Sequence, residues 1–107
     1  KERNFPEGFC HLFLLHTTAG LMLADLDPGA EQDYFLSFDK ILPKANYFHP
    51  HNPSHFSDHF LSSLIGQFLI LPVKEGKLVL GTWQRVVLVE FNGPRQREIV
   101  LSFLNKK

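Results

Sequence analysis

The chain has 107 residues, of which 44% are hydrophobic and 13% aromatic, enough for one globular domain and too few for two. Eleven Lys and Arg balance eleven Asp and Glu, so the formal net charge is zero. A neutral chain has no long-range field to draw it to nucleic acid or anionic lipid, and no apolar run approaches the length of a membrane span. The single cysteine, Cys10, cannot form an intrachain disulfide. We therefore expect a cytoplasmic protein with neither a nucleic-acid nor a membrane partner.

The first part of the chain predicts two strands followed by a helix. Residues 10–18 form a short apolar run that is typical of a strand covered on both faces, and residues 21–23 follow as a second strand. Asp27 and Pro28 suit the N-cap and first position of a helix. Apolar side chains then recur at helical spacing until Pro43, which predicts the main helix of the domain.

The second part predicts a short helix and four strands. Ser57 can cap a helix over residues 58–65, and Gly66 can end it. The predicted strands cover residues 68–73, 78–80, 83–91 and 96–104. Asn92-Gly93 is the strongest hairpin signal in the chain, and it predicts that the last two strands pair with each other.

Histidines are concentrated in an aperiodic segment, residues 43–57, and near the end of the first strand. Imidazoles are common metal ligands and titrate near neutrality, but the spacing matches neither a zinc finger nor HExxH. We interpret His51 and His55 as polar loop residues. His16 ends an apolar strand and needs a partner. It belongs either to a functional site or to a core in which a backbone carbonyl satisfies the ring.

Two further groups of polar residues are candidates for anion binding. Thr17 and Thr18 offer hydroxyl and backbone N–H groups at a strand end, although ordinary β-branched strand residues are the simpler interpretation. Arg95 and Arg97 alternate onto one face of the last strand, where they can bind phosphate or pair with Glu90. For Glu90, a structural salt bridge and a functional role remain equal alternatives.

Several of these residues resemble the motifs of a known family. They are His16-Thr-Thr-Ala19, Asp27-Pro28, Asp33, Tyr47-Phe-His49, His59 followed by Gly66, and the run GTWQRVVLVEFNGPRQR from Gly81 to Arg97. In order and spacing they resemble the YjbQ-like family, whose members are called secondary thiamine-phosphate synthase enzymes. The likeness extends from about Gly8 to the C-terminus. Family members usually carry an extra strand and helix before this point, so residues 1–107 are expected to form one YjbQ-like domain without them.

The resemblance implies an α+β fold in which antiparallel sheets pack as a sandwich, with one main and one short helix, assembled as a homotrimer. It also implies a weak thiamine-phosphate synthase activity as a side reaction. The residues that match the family pattern are His16, His49, His59, Trp83, Gln84, Glu90, Arg95 and Arg97.

The expected function is that of an enzyme acting on a phosphorylated small molecule. His16 and Glu90 are the predicted catalytic residues. The predicted phosphate ligands are Thr17, Thr18, Gln84, Arg95 and Arg97. The predicted ligands of a divalent metal, zinc or magnesium, are His16, His49 and His59. Two alternatives stay open, namely a non-catalytic module that binds an anion or metabolite, and a structural histidine cluster at a trimer interface.

Overall fold

The computed structural model describes residues 7–43, 48 and 56–106. In chain order the elements are β1 (Glu7–Leu14), β2 (Ala19–Ala24), α1 (Ala30–Ile41), α2 (Phe56–Ile65), β3 (Phe68–Lys74), β4 (Lys77–Leu78), β5 (Arg85–Glu90) and β6 (Ile99–Asn105). Neither helix of this described part is long and apolar enough to cross a membrane.

The strands form two antiparallel sheets. The larger has the order β4-β3-β1-β6, and the smaller consists of β2 and β5. In the larger sheet Leu12 of β1 lies opposite Leu69 of β3 on one side and Leu101 of β6 on the other. In the smaller sheet Leu21 lies opposite Leu88. Strand β1 therefore pairs with a neighbouring strand at each of its edges.

The two faces of the smaller sheet pack against different parts of the fold. This sheet therefore lies between the larger sheet and the helices. On one face Ala19 and Leu21 pack with Leu14 at the end of β1. On the other face Val89 packs with Phe38 of α1 and with α2. The predicted α+β class, with packed antiparallel sheets, one main helix and one short helix, is confirmed.

Gly20 allows α2 to lie close against β2. A Cβ at this position would lie 3.1 Å from Cγ2 of Ile65 and 3.2 Å from the carbonyl oxygen of Gly66. A side chain at this position would therefore require Ile65 or the Gly66 carbonyl to shift by a few tenths of an ångström. Because α2 also carries His59, this contact helps to set the distance between the helix and the β1–β2 connection.

The start of the main helix differs from the prediction. Helix α1 begins at Ala30, and its N-cap is Gly29 with φ of 90° rather than Asp27. The carbonyl oxygen of Asp27 accepts the N–H of Ala30 at 2.9 Å, which makes a turn ahead of the helix. The predicted Asp27-Pro28 start is therefore wrong by about half a turn.

Several predicted strand boundaries are also wrong. Strand β6 begins at Ile99 rather than at residue 96, so Arg95 and Arg97 precede the strand instead of lying on one of its faces. Strand β1 ends at Leu14 and does not continue to Thr18. Strand β5 begins at Arg85 rather than at Trp83, because residues 81–84 form a turn in which the N–H of Gln84 donates to Gly81. The short β4 pairs Leu78 with Val73 and ends there, so the prediction of a strand over 78–80 is only partly correct.

The predicted hairpin at Asn92-Gly93 does not form. Strand β5 pairs with β2, whereas β6 pairs with β1 in the other sheet. Pro94 would be the last residue of that turn and has no N–H to close it. The N–H of Asn92 instead donates to the carboxylate of Glu90 at 3.0 Å. The chain therefore crosses from one sheet to the other after β5.

The face of the larger sheet that points away from β2 is exposed. Its apolar side chains are Phe9, Phe13, Phe68, Ile70, Val100 and Leu104, which we call the outer sheet face. Their exposed fractions run from 41% for Phe13 to 70% for Leu104. The prediction that the first strand is covered on both faces is therefore wrong for the single chain.

Candidate anion-binding site

The connection between β1 and β2, residues 15–18, carries three predicted site residues. Strands β1 and β2 belong to different sheets, so the chain changes direction between them and leaves the ladder of the larger sheet. His16, Thr17 and Thr18 lie at this change of direction. Their side chains are partly or fully exposed, so polar groups stand next to a well-packed apolar core.

The ring of His16 has a backbone partner. Its Nε2 accepts the N–H of Glu98 at 2.7 Å, immediately before β6 begins. One of the two sequence-based alternatives was a ring satisfied by a backbone carbonyl, and the structure provides a backbone donor instead. A neutral imidazole that accepts through Nε2 carries its proton on Nδ1, so Nδ1–H is a hydrogen-bond donor.

Arg97, Glu90 and Thr18 form one connected group. The Nε of Arg97 donates to Oε1 of Glu90 at 2.7 Å, and its Nη2 donates to Oε2 of the same carboxylate. Nη2 also donates to the carbonyl oxygen and the Oγ1 of Thr18, at 3.1 and 3.0 Å. The Arg97 side chain is only 6% exposed. This group ties the start of β6 and the end of β5 to the β1–β2 connection.

The ion pair changes the electrostatics of both partners. Hydrogen bonds from Arg97 hold the pKa of Glu90 below its usual value; partial burial opposes this shift, and the N–H of Asn92 adds to it. The Glu90 carboxylate in turn raises the pKa of Arg97. Glu90 is therefore ionised at neutral pH, and its charge offsets that of Arg97.

A polar cavity of about 380 Å³ lies over this group. It is lined by Leu15, His16, Thr17, Thr18, His59, Asn92, Arg95 and Arg97. His59 comes from α2, whereas the other lining residues come from the β1–β2 and β5–β6 connections. A helix and two strand connections therefore contribute to the lining. Arg95 is exposed and uses its Nε to donate to the carbonyl oxygen of Asn92 at 2.9 Å. That bond holds the guanidinium at the cavity while leaving its terminal nitrogens for a ligand.

Most of the predicted site residues line this cavity, with three exceptions. Glu90 bonds to Arg97 but is not itself a lining residue. Gln84 lies in the turn before β5, where its Oε1 accepts the N–H of Gly81 at 2.8 Å, and it does not line this cavity. His49 lies outside the described residues, as do His51 and His55. Sequence reasoning missed Asn92 as a lining residue, because the Asn-Gly pair was interpreted only as a hairpin signal.

A second cavity, of about 260 Å³, lies between α1 and β5. It is lined mainly by apolar side chains, including Met22, Phe35 and Phe38, and its charged residues are Glu31 and Glu90. A cavity with only acidic charges does not attract an anion. The polar cavity is therefore the better candidate for a phosphate ligand.

The donor chemistry of His16 does not suit a metal ion in this arrangement. Its Nε2 lone pair accepts a hydrogen bond from Glu98, and the proton on Nδ1 would have to leave before a metal could bind there. Among residues 7–43, 48 and 56–106, no group of three His, Cys, Asp or Glu side chains is placed to hold a metal. The metal site stays a prediction, and no step of the proposed function depends on it.

Comparison with known proteins identifies the family. The family described as UPF0047 protein YjbQ-like matches residues 1–106. The chain belongs to the UPF0047 family. A UPF0047 protein of Archaeoglobus fulgidus is 33% identical over 99 residues, which cover 92% of this chain and 79% of the relative. The YjbQ protein of Salmonella typhimurium is 41% identical over 95 residues, covering 83% and 69% of the two chains.

Solved structures of similar proteins have the same fold. A conserved hypothetical protein of Thermus thermophilus superimposes with a TM-score of 0.84 at 35% identity, covering 94% of this chain and 81% of the other. A YbjQ-like protein of unknown function from Sulfolobus solfataricus gives the same TM-score at 30% identity, covering 95% and 75%. The family predicted from the sequence motifs is confirmed. Family membership alone does not assign an activity, so the function has to be inferred from the site.

Proposed function

We propose that the polar cavity binds the phosphate group of a small metabolite. The observation that carries this proposal is the convergence of two guanidinium groups, two threonines and two imidazoles on one cavity of about 380 Å³. Arg95 supplies a planar pair of donors that matches phosphate geometry. Thr17 and Thr18 add hydroxyl groups, and the Nδ1–H of His16 adds another donor.

The charge of the cavity supports a phosphate ligand. Glu90 offsets the charge of Arg97, so that pair adds little net charge. Among the described residues Arg95 forms no ion pair with a carboxylate: its Nε donates to a backbone carbonyl, and Glu90 acts on it only through a longer-range charge interaction. With Arg95, Arg97 and Glu90 counted together, the region is net positive at neutral pH.

Calorimetric titration with inorganic phosphate tests this proposal. We expect saturable binding that Arg95→Gln weakens at least tenfold, because the variant loses a charge-assisted bidentate contact. Arg85→Gln is the matched control, since Arg85 is also exposed and donates to backbone carbonyls, but lies outside the cavity. Equal weakening by both variants, or no saturable binding to the wild type, would contradict the proposal.

We further propose, from the family resemblance, that the bound metabolite undergoes a transfer reaction like that of thiamine-phosphate synthase. Departure of pyrophosphate in such a reaction requires cationic and hydrogen-bonding groups at the leaving oxygens. Arg95 and His16 would supply them. The test is product formation from the two phosphorylated thiamine precursors, compared between the wild type and Arg95→Gln.

A non-catalytic binding module is the second candidate, and one observation favours it. Glu90, a predicted catalytic residue, accepts hydrogen bonds from Arg97 and Asn92, and its pKa is lowered. A carboxylate in this state is a weak general base. Tight binding of a phosphorylated metabolite without any product would support the binding module and exclude the transfer reaction.

We also propose that the chain assembles as the homotrimer that the resemblance implies. The outer sheet face supports this, since monomers rarely leave so continuous an apolar surface in water. Zero net charge removes the repulsion that would keep copies apart. Size-exclusion chromatography with light scattering should give three times the chain mass, and a monomer at micromolar concentration would contradict the trimer.

A further inference from the structure

Ser62 is a buried polar residue of α2 that does not line the polar cavity. It is 0% exposed, and its hydroxyl makes two hydrogen bonds. Oγ donates to the carbonyl oxygen of Ala19 at 2.6 Å and accepts from Nε2 of Gln67 at 2.9 Å. A buried hydroxyl satisfied in both directions holds its partners in one geometry, because losing it would leave buried polar groups unpaired.

These bonds belong to a larger set at the end of α2. The N–H of Leu14 donates to the carbonyl oxygen of Gln67 at 2.8 Å, and the N–H of Leu21 donates to that of Gly66 at 2.9 Å. Leu14 precedes the β1–β2 connection, and Ala19 follows it directly. The end of α2 is thus bonded to the chain on both sides of residues 15–18.

The same helix carries His59 into the cavity. Ser62 lies three residues after His59, so the two side chains share one face of α2. The hydroxyl of Ser62 therefore connects the helix that presents His59 to the connection that presents His16, Thr17 and Thr18. Gly20 permits this contact by leaving room for the end of the helix.

We infer that Ser62 is a positioning residue of the polar cavity, acting with Gln67 to hold the β1–β2 connection against α2. It does not touch the ligand. Its effect on binding passes through the placement of residues 15–18 relative to His59. This inference rests on the proposed phosphate site for its binding consequence, but its structural consequence can be measured without any ligand.

Hydrogen exchange provides the ligand-free test. In Ser62→Ala we expect the amides of Leu14 and Leu21 to exchange at least tenfold faster than in the wild type, while Leu12 at the centre of β1 is unchanged. Ser63→Ala is the matched control, because Ser63 is the exposed neighbour on the same helix. Uniformly faster exchange across the larger sheet would overturn the inference, since it would indicate only global destabilisation.

Phosphate affinity provides the second readout. We expect Ser62→Ala to weaken phosphate binding about fivefold to tenfold at a temperature where the variant is fully folded. Val73→Ala, a core substitution in β3 remote from the cavity, should lower the melting temperature without this loss of affinity. Equal affinity losses in the two variants would overturn the positioning role.

A milder variant covers the case in which Ser62→Ala does not fold. Gln67→Ala removes only the side-chain donor to Ser62 and keeps the backbone carbonyl that accepts from Leu14. It should accelerate the same two amides by a smaller factor, and unchanged exchange would overturn the inference. If wild-type protein binds no phosphate but the amides respond as expected, the proposed function fails while the placement role of Ser62 stands.

Discussion

The Nε2 of His16 lies 2.7 Å from the backbone nitrogen of Glu98 and accepts its hydrogen bond. This bond joins the β1–β2 connection to the start of β6, although 82 positions separate the two residues. It also fixes which nitrogen of the neutral ring is a donor. His16 is thus both a structural link and a candidate ligand group, and the two roles can be separated by measuring stability and binding in the same variant.

His16→Ala should weaken phosphate binding at least tenfold and lower the free energy of unfolding by only about 1 kcal/mol, the usual contribution of one hydrogen bond. His11→Ala is the control, since His11 lies on β1 against Phe13 and Phe68 and does not line the cavity. Calorimetry and urea unfolding measure the two effects. Unchanged phosphate affinity in His16→Ala would remove this residue from the site.

Glu90→Gln should lower the free energy of unfolding by about 1–3 kcal/mol at pH 7, because the Arg97 guanidinium, 6% exposed, loses its charged partner. The folded pKa of Glu90 lies below its unfolded value, so this stabilisation is present above the unfolded pKa and is lost as the pH falls through the folded pKa. The difference between the two proteins should therefore be constant above about pH 5 and shrink in acid.

The control for this comparison is Glu98→Gln, since Glu98 is an exposed glutamate immediately before β6. It should change the unfolding free energy by less than about 0.5 kcal/mol. A Glu90→Gln difference that persisted undiminished at pH 2 would show that the ion pair is not its source.

Gly20→Ala should lower the free energy of unfolding by about 1–3 kcal/mol, because the new methyl group meets Ile65 and the Gly66 carbonyl at 3.1–3.2 Å. Gly81→Ala is the control, since its methyl group would meet only the flexible side chain of Gln84. Thermal unfolding measures both. If the two substitutions had equal effects, the close approach of α2 to β2 would not be the constraint on Gly20.

Chelation should leave phosphate binding unchanged, because all the proposed phosphate donors come from the protein chain. The measurement is calorimetric titration before and after exhaustive treatment with a chelator, using protein made without a histidine tag. Loss of binding that zinc restores would instead support the predicted metal site at His16, His49 and His59.

Sequence patterns predicted the elements better than their partners. The apolar run of β1 and the helical spacing of α1 reflect local periodicity, and both elements were correctly predicted apart from their ends. The pairing of β5 depended on a choice between β2 and β6 that periodicity does not encode. Pro94 was the available signal against the hairpin, because it removes the N–H that would close the turn.

At the site, too, the sequence indicated the residues better than their partners. The sequence motifs singled out His16, Arg95 and Arg97, and all three line one cavity. The motifs did not indicate which hydrogen bonds and ion pairs each side chain makes. That Arg97 is bonded to Glu90 and Thr18, while Arg95 has terminal nitrogens available, follows from burial and geometry rather than from residue type.

Phosphate binding in the polar cavity is tested most directly by amide chemical-shift mapping with inorganic phosphate. We predict saturable shifts at Thr17 and Thr18, together with Arg95, and no comparable shifts at Phe35 and Phe38 in the apolar cavity. Saturable shifts confined to other surfaces, or no saturable shift at any amide, would contradict the account.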